Sequence, residues 1–256
     1  MILYYYLIID LEQLFDRYLI TFVKGWIKIA NLTLIEQALP YLLEGTLITI
    51  QLTFWSLLLG VIVGLPLAFG QVYGNKFVQG IIAVYERVVR SIPLLVILLL
   101  INYGLPAMGL RIPIFTAAVV GIGLRSSAYQ SQIYRGAIQS VGGSQMKAAM
   151  SLGMSKLTAF THIIAPQAIR IAIPPVTNES AIVLKDTSLA FTIGVVELVR
   201  QGDYFIATSN APMTIYLTVA AIYFVLTTTI NLALSFFEKK YQIPGIGIEG
   251  GHSDAY

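Results

Sequence analysis

The sequence has 256 residues, of which 57% are hydrophobic and 11% are charged, whereas a soluble domain carries about 25% charged residues. A chain of this length cannot bury so much apolar surface in a core of its own, which predicts a membrane protein with several spans of about 20 residues. The net charge of +3 is spread among apolar runs and indicates membrane orientation rather than nucleic-acid binding, and the absence of cysteine excludes disulfides, cysteine-ligated zinc and cysteine nucleophiles.

Residues 10–30 predict an amphipathic helix. Apolar residues recur there at helical spacing, with charged and amide residues between them. A one-sided apolar stripe favours a helix that lies in the membrane interface, with a poorly hydrophobic extra span as the alternative. We assign residues 1–40 to this N-terminal interfacial segment. The opening MILYYYLIID has no basic start and reaches an acid at residue 10, so it does not resemble a cleaved signal peptide.

Five strongly apolar segments follow, each long enough to cross a bilayer. Together they predict an all-α transmembrane domain of about five helices over residues 41–240. The fourth segment contains Pro174, Pro175 and the polar run KDTSL, which predict a break in its helix. The five segments are residues 43–69, 84–103, 114–134, 171–199 and 214–237.

Loop charge predicts how these spans are oriented. The connection at residues 135–170 carries four bases and no acid, and Lys239 and Lys240 follow the last span. Because short basic loops stay in the cytoplasm, both this connection and the C-terminus are predicted to be cytoplasmic. Five crossings of the cell membrane satisfy both conditions and place the N-terminal helix outside. The glycine-rich tail, residues 241–256, is predicted to be flexible.

The basic connection contains two predicted short helices joined by a glycine turn. Ser144 is a plausible N-cap for the first helix, which is predicted to end at Gly153. Ser155 can cap the second helix, which is predicted to end before Pro166. Composition alone leaves open that this is an ordinary loop between two spans.

Motifs in this connection and around it point to a family. The pattern Glu-Ala-Ala, three residues, Gly, nine residues, Ile, one residue, Leu-Pro is matched in spacing by Ala148, Ala149, Gly153, Ile163 and Pro166. Further matching blocks are LLEGTLITIQLT (42–53), YERVVRSIPLLV (85–96), SAYQSQIYRGAIQSV (127–141) and NESAIVLKDTSLAFTIGVVEL (178–198). With these motifs the sequence resembles the membrane subunits of bacterial and archaeal ABC importers. Over residues 40–240 it is most similar to their polar amino acid uptake branch.

The sequence departs from the family pattern at four positions, one of which is Arg125, where the family often has Asn. Lys147 replaces the motif Glu, Ala165 replaces the Leu, and Gln132 stands where the family usually has Glu. A Glu at residue 147 could close a capping box with Ser144 and favour the helix N-terminus, whereas Lys does neither. Either the partner carries a compensating acid, or docking relies on the apolar residues Met150, Leu152 and Met154.

The resemblance implies a type I permease fold whose loop at residues 142–166 is a coupling helix seated on a cytoplasmic ATP-binding subunit. No G-x-x-x-x-G-K-[ST] phosphate loop occurs in the sequence, so ATP and Mg are expected on that subunit, and this chain is expected to be neither an enzyme nor a cofactor carrier. Five crossings are too few for two inverted repeats of usual size, which predicts a dimer. The coupling residues are Lys147, Ala148, Ala149, Met150, Leu152, Gly153 and Met154.

The resemblance also implies the other members of the complex. They are two copies of the ATP-binding subunit, a second permease that is identical or homologous, and an extracytoplasmic amino-acid-binding protein. The expected cargo is a polar amino acid, and nucleic acid is not an expected partner.

Ionisable residues inside the predicted spans mark a candidate substrate site, because charge at membrane depth is costly. Arg125 lies about 16 Å into the third span at 1.5 Å per residue. Glu179 and Asp186 are seven residues apart in the fourth span, and on a continuous helix they would share a face. A zwitterionic amino acid needs a carboxylate for its ammonium group and donors for its own carboxylate. The candidate substrate-binding residues are Arg125, Asn178, Glu179, Asp186, Thr187 and Ser188.

The residues alone leave alternatives open for this site. Arg125 faces the substrate, or it forms a buried ion pair with Asp186 or Glu179. The chain as a whole could instead be a self-contained secondary transporter that uses Glu179, Asp186 and Arg125 as a proton relay. An intramembrane enzyme would need a nucleophile and a base at depth, which the sequence does not offer. His162 and His252 lie far apart, so no metal site is predicted.

Overall fold

The computed structural model describes residues 31–141 and 143–241. Within these ranges the chain is helical and contains no strand, which confirms the predicted all-α class. The predicted interfacial helix at residues 10–30 and the tail at residues 242–256 lie outside the described residues. The first described helix begins at Leu32, so the boundary expected at residue 40 falls inside it.

The described residues form eight helices and one 3-10 segment. Helix α3 contains a π-helical turn at Leu100–Gly104, and α6 contains another at Phe160–Ile164. The 3-10 segment, Thr187–Ile193, follows α6 directly. The helices are α1 (Leu32–Tyr73), α2 (Lys76–Ser91), α3 (Leu94–Ala107), α4 (Ile114–Ser140), α5 (Gly143–Ser151), α6 (residues 156–186), α7 (Leu198–Ser209) and α8 (Pro212–Tyr241).

Side-chain caps fix where several helices begin. Asn31 and Asn75 accept hydrogen bonds from amides in the first turns of α1 and α2, at 3.3 and 2.9 Å. Ser155 accepts from the Thr158 amide at 3.1 Å, which confirms its predicted role as the cap of α6. Helix α5 begins at Gly143, so Ser144 lies inside its first turn and the prediction of an N-cap there is wrong.

Long apolar helices make this a membrane fold. Two helices of the described part, α1 and α8, are long and apolar enough to cross a bilayer by themselves, and their outward faces expose large side chains such as Phe54 and Phe224. At 27 residues α4 is long enough to cross, but it carries more polar residues than α1 or α8. The predicted spans at 43–69, 114–134 and 214–237 lie within α1, α4 and α8.

The predicted span at residues 84–103 is not one straight helix. Helices α2 and α3 meet at Ile92 and Pro93 with a bend of 103°. Proline disfavours helical geometry at the residue before it, and Ile92 accordingly adopts an extended conformation. The bend turns α2 across the bundle, where Ile82 packs near Gly70 of α1 and Tyr85 donates a hydrogen bond to the Leu124 carbonyl of α4 at 3.1 Å.

Three prolines do not break helices where the sequence predicts breaks. Helix α6 runs through Pro174 and Pro175 and first changes at Thr187, where the 3-10 segment begins. The helix predicted to end before Pro166 also continues, because a π-helical turn immediately before this proline shifts the hydrogen-bond register. Residues 156–186 therefore form one continuous helix.

Helices α1 and α4 run side by side in the same direction. Gly123 of α4 lies against Leu59 of α1. Ser131, about two helical turns further along α4, lies against Gly64, which is also further along α1. Small residues permit this approach, since a Cβ at Gly60 would lie only 2.3 Å from Gln130 Nε2. Helix α6 runs antiparallel to α4. These directions agree with alternate crossings by α1, the bent α2–α3 pair, α4 and α6.

Candidate functional site

A polar seam joins the middle of α4 to the C-terminal end of α6. The Arg125 guanidinium donates through Nη1 to Asp186 Oδ2, and both side chains remain about a fifth exposed, at 20% and 19%. One residue along α4, Ser126 Oγ donates to Glu179 Oε1 at 2.9 Å, and Glu179 is only 3% exposed. Because α6 is continuous, the seven-residue spacing places both carboxylates on the face that meets α4.

A chain of hydrogen bonds extends this seam along α4. Tyr134 Oη donates to Gln130 Oε1 at 2.7 Å, and Gln130 Nε2 donates to Ser126 Oγ at 3.0 Å. Gln130 Nε2 also lies 3.3 Å from the Leu57 carbonyl of α1. Since the Ser126 hydroxyl in turn donates its hydrogen bond to Glu179, every bond in the chain points toward that carboxylate, which satisfies a buried acid.

The remaining predicted site residues lie elsewhere around the end of α6. Asn178 and Lys185, seven residues apart, are exposed on a face of α6 different from the seam. Thr187 is fully buried and its hydroxyl donates to the Leu184 carbonyl at 2.6 Å. Ser188 donates to the Lys185 carbonyl at 2.7 Å. Both hydroxyl groups thus donate to backbone carbonyls. Of the four residues expected to donate to the substrate carboxylate, Arg125 and Asn178 remain.

Tyr129 is a member of the site that sequence reasoning missed. Two guanidinium groups lie over its ring, with Arg125 Cζ 4.8 Å and Arg90 Cζ 4.9 Å from the centroid. The spacing of Arg125 and Tyr129, four residues on one helix, was a signal that could have placed them together. The contact of Arg90 with Tyr129 depends on how α2 packs against α4, and no pattern in the sequence near Arg90 predicts it.

A second buried acid lies at the end of the bundle where α1 and α7 begin, which we call the α7 end. Glu197 is fully buried and caps α7, since its carboxylate accepts from the Val199 and Arg200 amides at 3.0 and 2.9 Å. Tyr223 Oη of α8 donates to the same carboxylate at 3.1 Å. The Leu198 amide donates to Thr49 Oγ1 of α1 at 3.2 Å. Glu197 therefore ties α7 to α8, and the adjacent Leu198 ties it to α1.

Glu197→Ala is expected to lower the unfolding midpoint of the permease clearly. The change removes two capping bonds and the carboxylate that accepts from the Tyr223 hydroxyl, which together cost about 2 kcal/mol. Glu197→Gln keeps one acceptor oxygen and should lose less. A thermal unfolding scan in detergent checks this, with Glu44→Ala, which removes an exposed acid at the same end, as the control. Equal midpoints for Glu197→Ala and Glu44→Ala would contradict the capping role.

An open cavity of about 590 Å³ lies at the α7 end of the bundle. Residues of α1, of the start of α4 and of the segment before α7 form its walls, and its polar groups come from Glu44, Gln51 and Gln201. The cavity is wide enough for a small polar solute. It opens on the side of the membrane opposite to α5.

The helix α5 and the turn after it project from the other end, which we call the α5 end. Gly153 has a φ of +83°, a conformation that favours glycine, and it ends the projection in a tight turn. Leu152 is 83% exposed and Met150 is 43% exposed, while Ala149 is buried against its own chain. Of the seven predicted coupling residues, those that face outward are Lys147, Ala148, Met150, Leu152 and Gly153.

A pair of glutamines holds α5 against α6. Gln167 Nε2 donates to Gln145 Oε1 at 2.7 Å, and Gln145 Nε2 donates back to Gln167 Oε1 at 3.2 Å. Gln167 also donates to the Ile163 carbonyl inside the π-helical turn, at 2.8 Å. The projecting loop is therefore attached directly to the helix that carries Glu179 and Asp186.

Residues 56–243 match the family described as the binding-protein-dependent transport system inner membrane component. The chain belongs to this family. Family membership makes the permease a membrane component of an ABC importer, a type of transporter in which an ATPase and a substrate-binding protein are separate partners. The predicted family is confirmed.

Curated relatives cover most of the permease. It is 35% identical over 211 residues to the glutamine transport system permease protein GlnP of Escherichia coli (strain K12), covering 82% of this chain and 96% of that one. It is 37% identical over 213 residues to the probable amino-acid permease protein YxeN of Bacillus subtilis (strain 168), covering 81% and 94%. The nopaline transport system permease protein NocM of Agrobacterium fabrum is 36% identical, with 78% and 88% covered.

Solved structures share the fold. A crystal structure of an amino acid ABC transporter with histidines matches with a TM-score of 0.76 and 38% identity, covering 80% of this chain and 96% of that chain. An inward-facing form of the MetNI methionine ABC transporter matches with a TM-score of 0.69 at 18% identity, covering 79% and 97%, and supports the fold alone. The predicted type I permease fold is therefore confirmed. Among the described residues no group of three His, Cys, Asp or Glu side chains could hold a metal ion.

Proposed function

We propose that this chain is the membrane-spanning subunit of an ATP-driven importer for polar amino acids, and that two permeases form the translocation pathway. The observation that carries the proposal is the α4–α6 seam. It brings one guanidinium and two carboxylates together inside the membrane helices of a chain from this family. Relatives named for glutamine, nopaline and unspecified amino acids support amino acids as the class of cargo.

The Arg125–Asp186 pair is suited to exchange partners with a zwitterion. An amino acid can place its ammonium group on Asp186 and its carboxylate on Arg125, so that two charge pairs replace one and no charge is left uncompensated. The pair is partly exposed and reachable, whereas Glu179 is buried behind it and satisfied by Ser126. Asn178 lies on another face of α6, and we keep it in the proposal as a donor that the substrate meets outside the seam. Thr187 and Ser188 contribute to the proposed site indirectly, because their hydroxyls bond to carbonyls at the end of α6, next to Asp186.

The α5 end is the proposed attachment point for the ATP-binding subunit. A tight turn at residues 152–154 presents Leu152 and Met150 outward, which fits insertion into an apolar groove. Lys147 is exposed beside them. Because it stands where the family motif has Glu, we expect the ATP-binding subunit to place an acid opposite it, where a Glu would be matched by a base. Two ATP-binding subunits, which carry the ATP and Mg, complete this half of the complex. Residues 142–166 and the C-terminus are then cytoplasmic.

With this orientation the α7 end faces outward. The cavity lined by Glu44, Gln51 and Gln201 is the proposed mouth of the pathway. The amino-acid-binding protein docks over it and releases its ligand there. The second permease is identical or homologous to this chain and closes the pathway from the other side.

The contacts in the seam do not favour the alternative of a self-contained secondary transporter. Arg125 and Asp186 are already paired, and Glu179 is held by a hydroxyl, so the three groups form fixed contacts rather than an open relay. Membership of the importer family favours the ATP-driven mechanism.

Uptake into proteoliposomes tests the proposed function. The permease is reconstituted with its ATP-binding subunit and binding protein, and labelled glutamine, glutamate, arginine and histidine are offered one at a time. Uptake of at least one of them is expected to require both ATP and the binding protein. Uptake by the permease alone, driven by a proton gradient, would establish the secondary transporter instead, and no uptake of any amino acid would refute the cargo class.

A further inference from the structure

A second polar cavity lies beside the seam and shares only Arg90 and Tyr129 with the site described above. It measures about 410 Å³ and lies between α2 and α4. Three arginines contribute to its walls, Arg87 and Arg90 from α2 and Arg135 from α4. None of the three belongs to the predicted substrate or coupling residues.

The acid in this cavity does not neutralise its arginines. Glu86 is 4% exposed, and its two carboxylate oxygens accept hydrogen bonds from Ser131 Oγ and Gln132 Nε2. No arginine of the cavity lies within ion-pair distance of Glu86 or of any other acid in the described part of the chain. Glu86 is thereby committed to α4, where it fastens α2.

The arginines themselves differ in how they are held. Arg135 donates to Gln132 Oε1 at 2.6 Å, and Arg90 lies over the Tyr129 ring. Arg87 is exposed and makes no hydrogen bond or ion pair with another described residue. Three positive charges therefore face one cavity against the single negative charge of Glu86. Like charges at such distances repel, and a bound anion relieves the repulsion.

The position of the cavity along the bundle relates it to the seam. Arg135 is ten residues beyond Arg125 on α4, about 15 Å nearer the α5 end at 1.5 Å per residue. Charged side chains within membrane helices face protein interiors or water-filled cavities, where they mark the paths of solutes. The volume of the cavity is within the range of small-molecule sites.

Tyr129 is a wall shared by the two sites. Arg125, which pairs with Asp186, and Arg90, which lines the cavity, both lie over its ring. A solute that leaves Arg125 toward the α5 end therefore meets Tyr129 first and the three arginines next.

We propose that this cavity is a second substrate subsite, which binds the carboxylate of the amino acid through Arg87 and Arg135 on its way out of the Arg125–Asp186 site. The inference rests on the proposed function, because it takes the amino acid as cargo and the α5 end as the cytoplasmic side. Guanidinium forks match a carboxylate in geometry, and the excess positive charge selects that end of the zwitterion over its ammonium group.

Arginine-specific labelling tests the subsite directly. The complex of permease and ATP-binding subunits, without ATP, is placed in nanodiscs of zwitterionic lipid and treated with phenylglyoxal, and the modified arginines are located by peptide mass spectrometry. Glutamine, glutamate and histidine are each compared with their α-carboxamides, which lack the carboxylate. At roughly twice the dissociation constant, mass action leaves about one third of the sites free, so labelling of Arg87 and Arg135 should slow about threefold. Arg170, exposed on α6, is the control and should react at an unchanged rate.

The outcomes separate the subsite from its competitors. Protection of Arg87 and Arg135 by an amino acid but not by its carboxamide supports the proposal. Equal labelling with and without every amino acid overturns it, and so does protection that arises only when phosphatidylglycerol is added, which would make the cavity a lipid phosphate site. The uptake assay separates failure of the subsite from failure of the proposed function. ATP-dependent uptake without any protection of the arginines refutes the subsite and leaves the proposed function standing.

A paired variant supplies a functional readout. Arg87→Gln with Arg135→Gln is expected to lower the maximal uptake rate several-fold while leaving the binding-protein concentration for half-maximal uptake unchanged, because the change lies beyond the docking step. Arg170→Gln should alter neither value. An unchanged maximal rate in the paired variant would contradict a subsite on the exit path.

Discussion

Asp186→Asn is expected to reduce amino acid uptake at least tenfold, since it removes the partner of Arg125 and the proposed anchor of the substrate ammonium group. Breaking one side of a buried ion pair costs about 3–5 kcal/mol, and the partial exposure of this pair reduces the loss of stability to about 2 kcal/mol. A tenfold loss of rate corresponds to about 1.4 kcal/mol in the transition state. Uptake in proteoliposomes and a thermal unfolding midpoint are the two measurements.

A double variant separates binding from structure. Arg125→Gln combined with Asp186→Asn removes both charges together, so no buried charge is left without a partner and the unfolding midpoint should recover. If Arg125 and Asp186 hold the substrate, uptake stays low in the double variant although the fold is restored. Recovery of uptake along with the midpoint would show that the pair only supports the structure.

Leu152→Asp is expected to uncouple the permease from its ATP-binding subunit. Leu152 is 83% exposed, so the change should not disturb the permease itself. In the complex, however, the variant loses the burial of a leucine and brings an unpaired carboxylate into an apolar groove. Affinity for the ATP-binding subunit should fall about 100-fold, or about 2.7 kcal/mol.

Two matched variants make the docking test specific. Leu152→Met keeps an apolar side chain of similar volume and should retain binding. Leu110→Asp places the same charge on another exposed leucine, in the connection between α3 and α4 at the opposite end, and should leave binding to the ATP-binding subunit intact. The affinity of each variant for the ATP-binding subunit is measured by co-purification and by bio-layer interferometry. Unchanged affinity for Leu152→Asp would remove α5 and its turn as the docking site.

Most of the correct predictions depend on patterns within a single helix. The apolar runs that became α1, α4 and α8 are visible because each is long and nearly free of charge. The seven-residue spacing of Glu179 and Asp186 correctly predicts a shared face, since it depends only on helix geometry. The Ser155 cap and the turn at Gly153 are likewise local, as they depend on residues three or four positions apart.

Features that depend on contacts between helices were not predictable from the sequence. Proline was expected to end helices at Pro166 and Pro174, yet neighbouring helices and a π-helical turn accommodate it. The bend at Pro93, by contrast, was missed because the apolar run continues across it. The stacking of Arg90 on Tyr129 and the bond from Tyr223 to Glu197 join residues from separate elements, and none of these residue types is distinctive at its position.

The π-helical turn at Phe160–Ile164 has a mechanical consequence. Without it, Pro166 would divide the segment into two rods connected by a hinge, and a displacement at one would be absorbed by bending. With it, Lys156 and Asp186 are the two ends of a single lever about 45 Å long at 1.5 Å per residue. The Gln145–Gln167 amide pair holds α5 against this lever about a third of the way from Lys156 to Asp186. We therefore expect a small tilt imposed on α5 to reach the far end and to change the separation of Asp186 and Arg125.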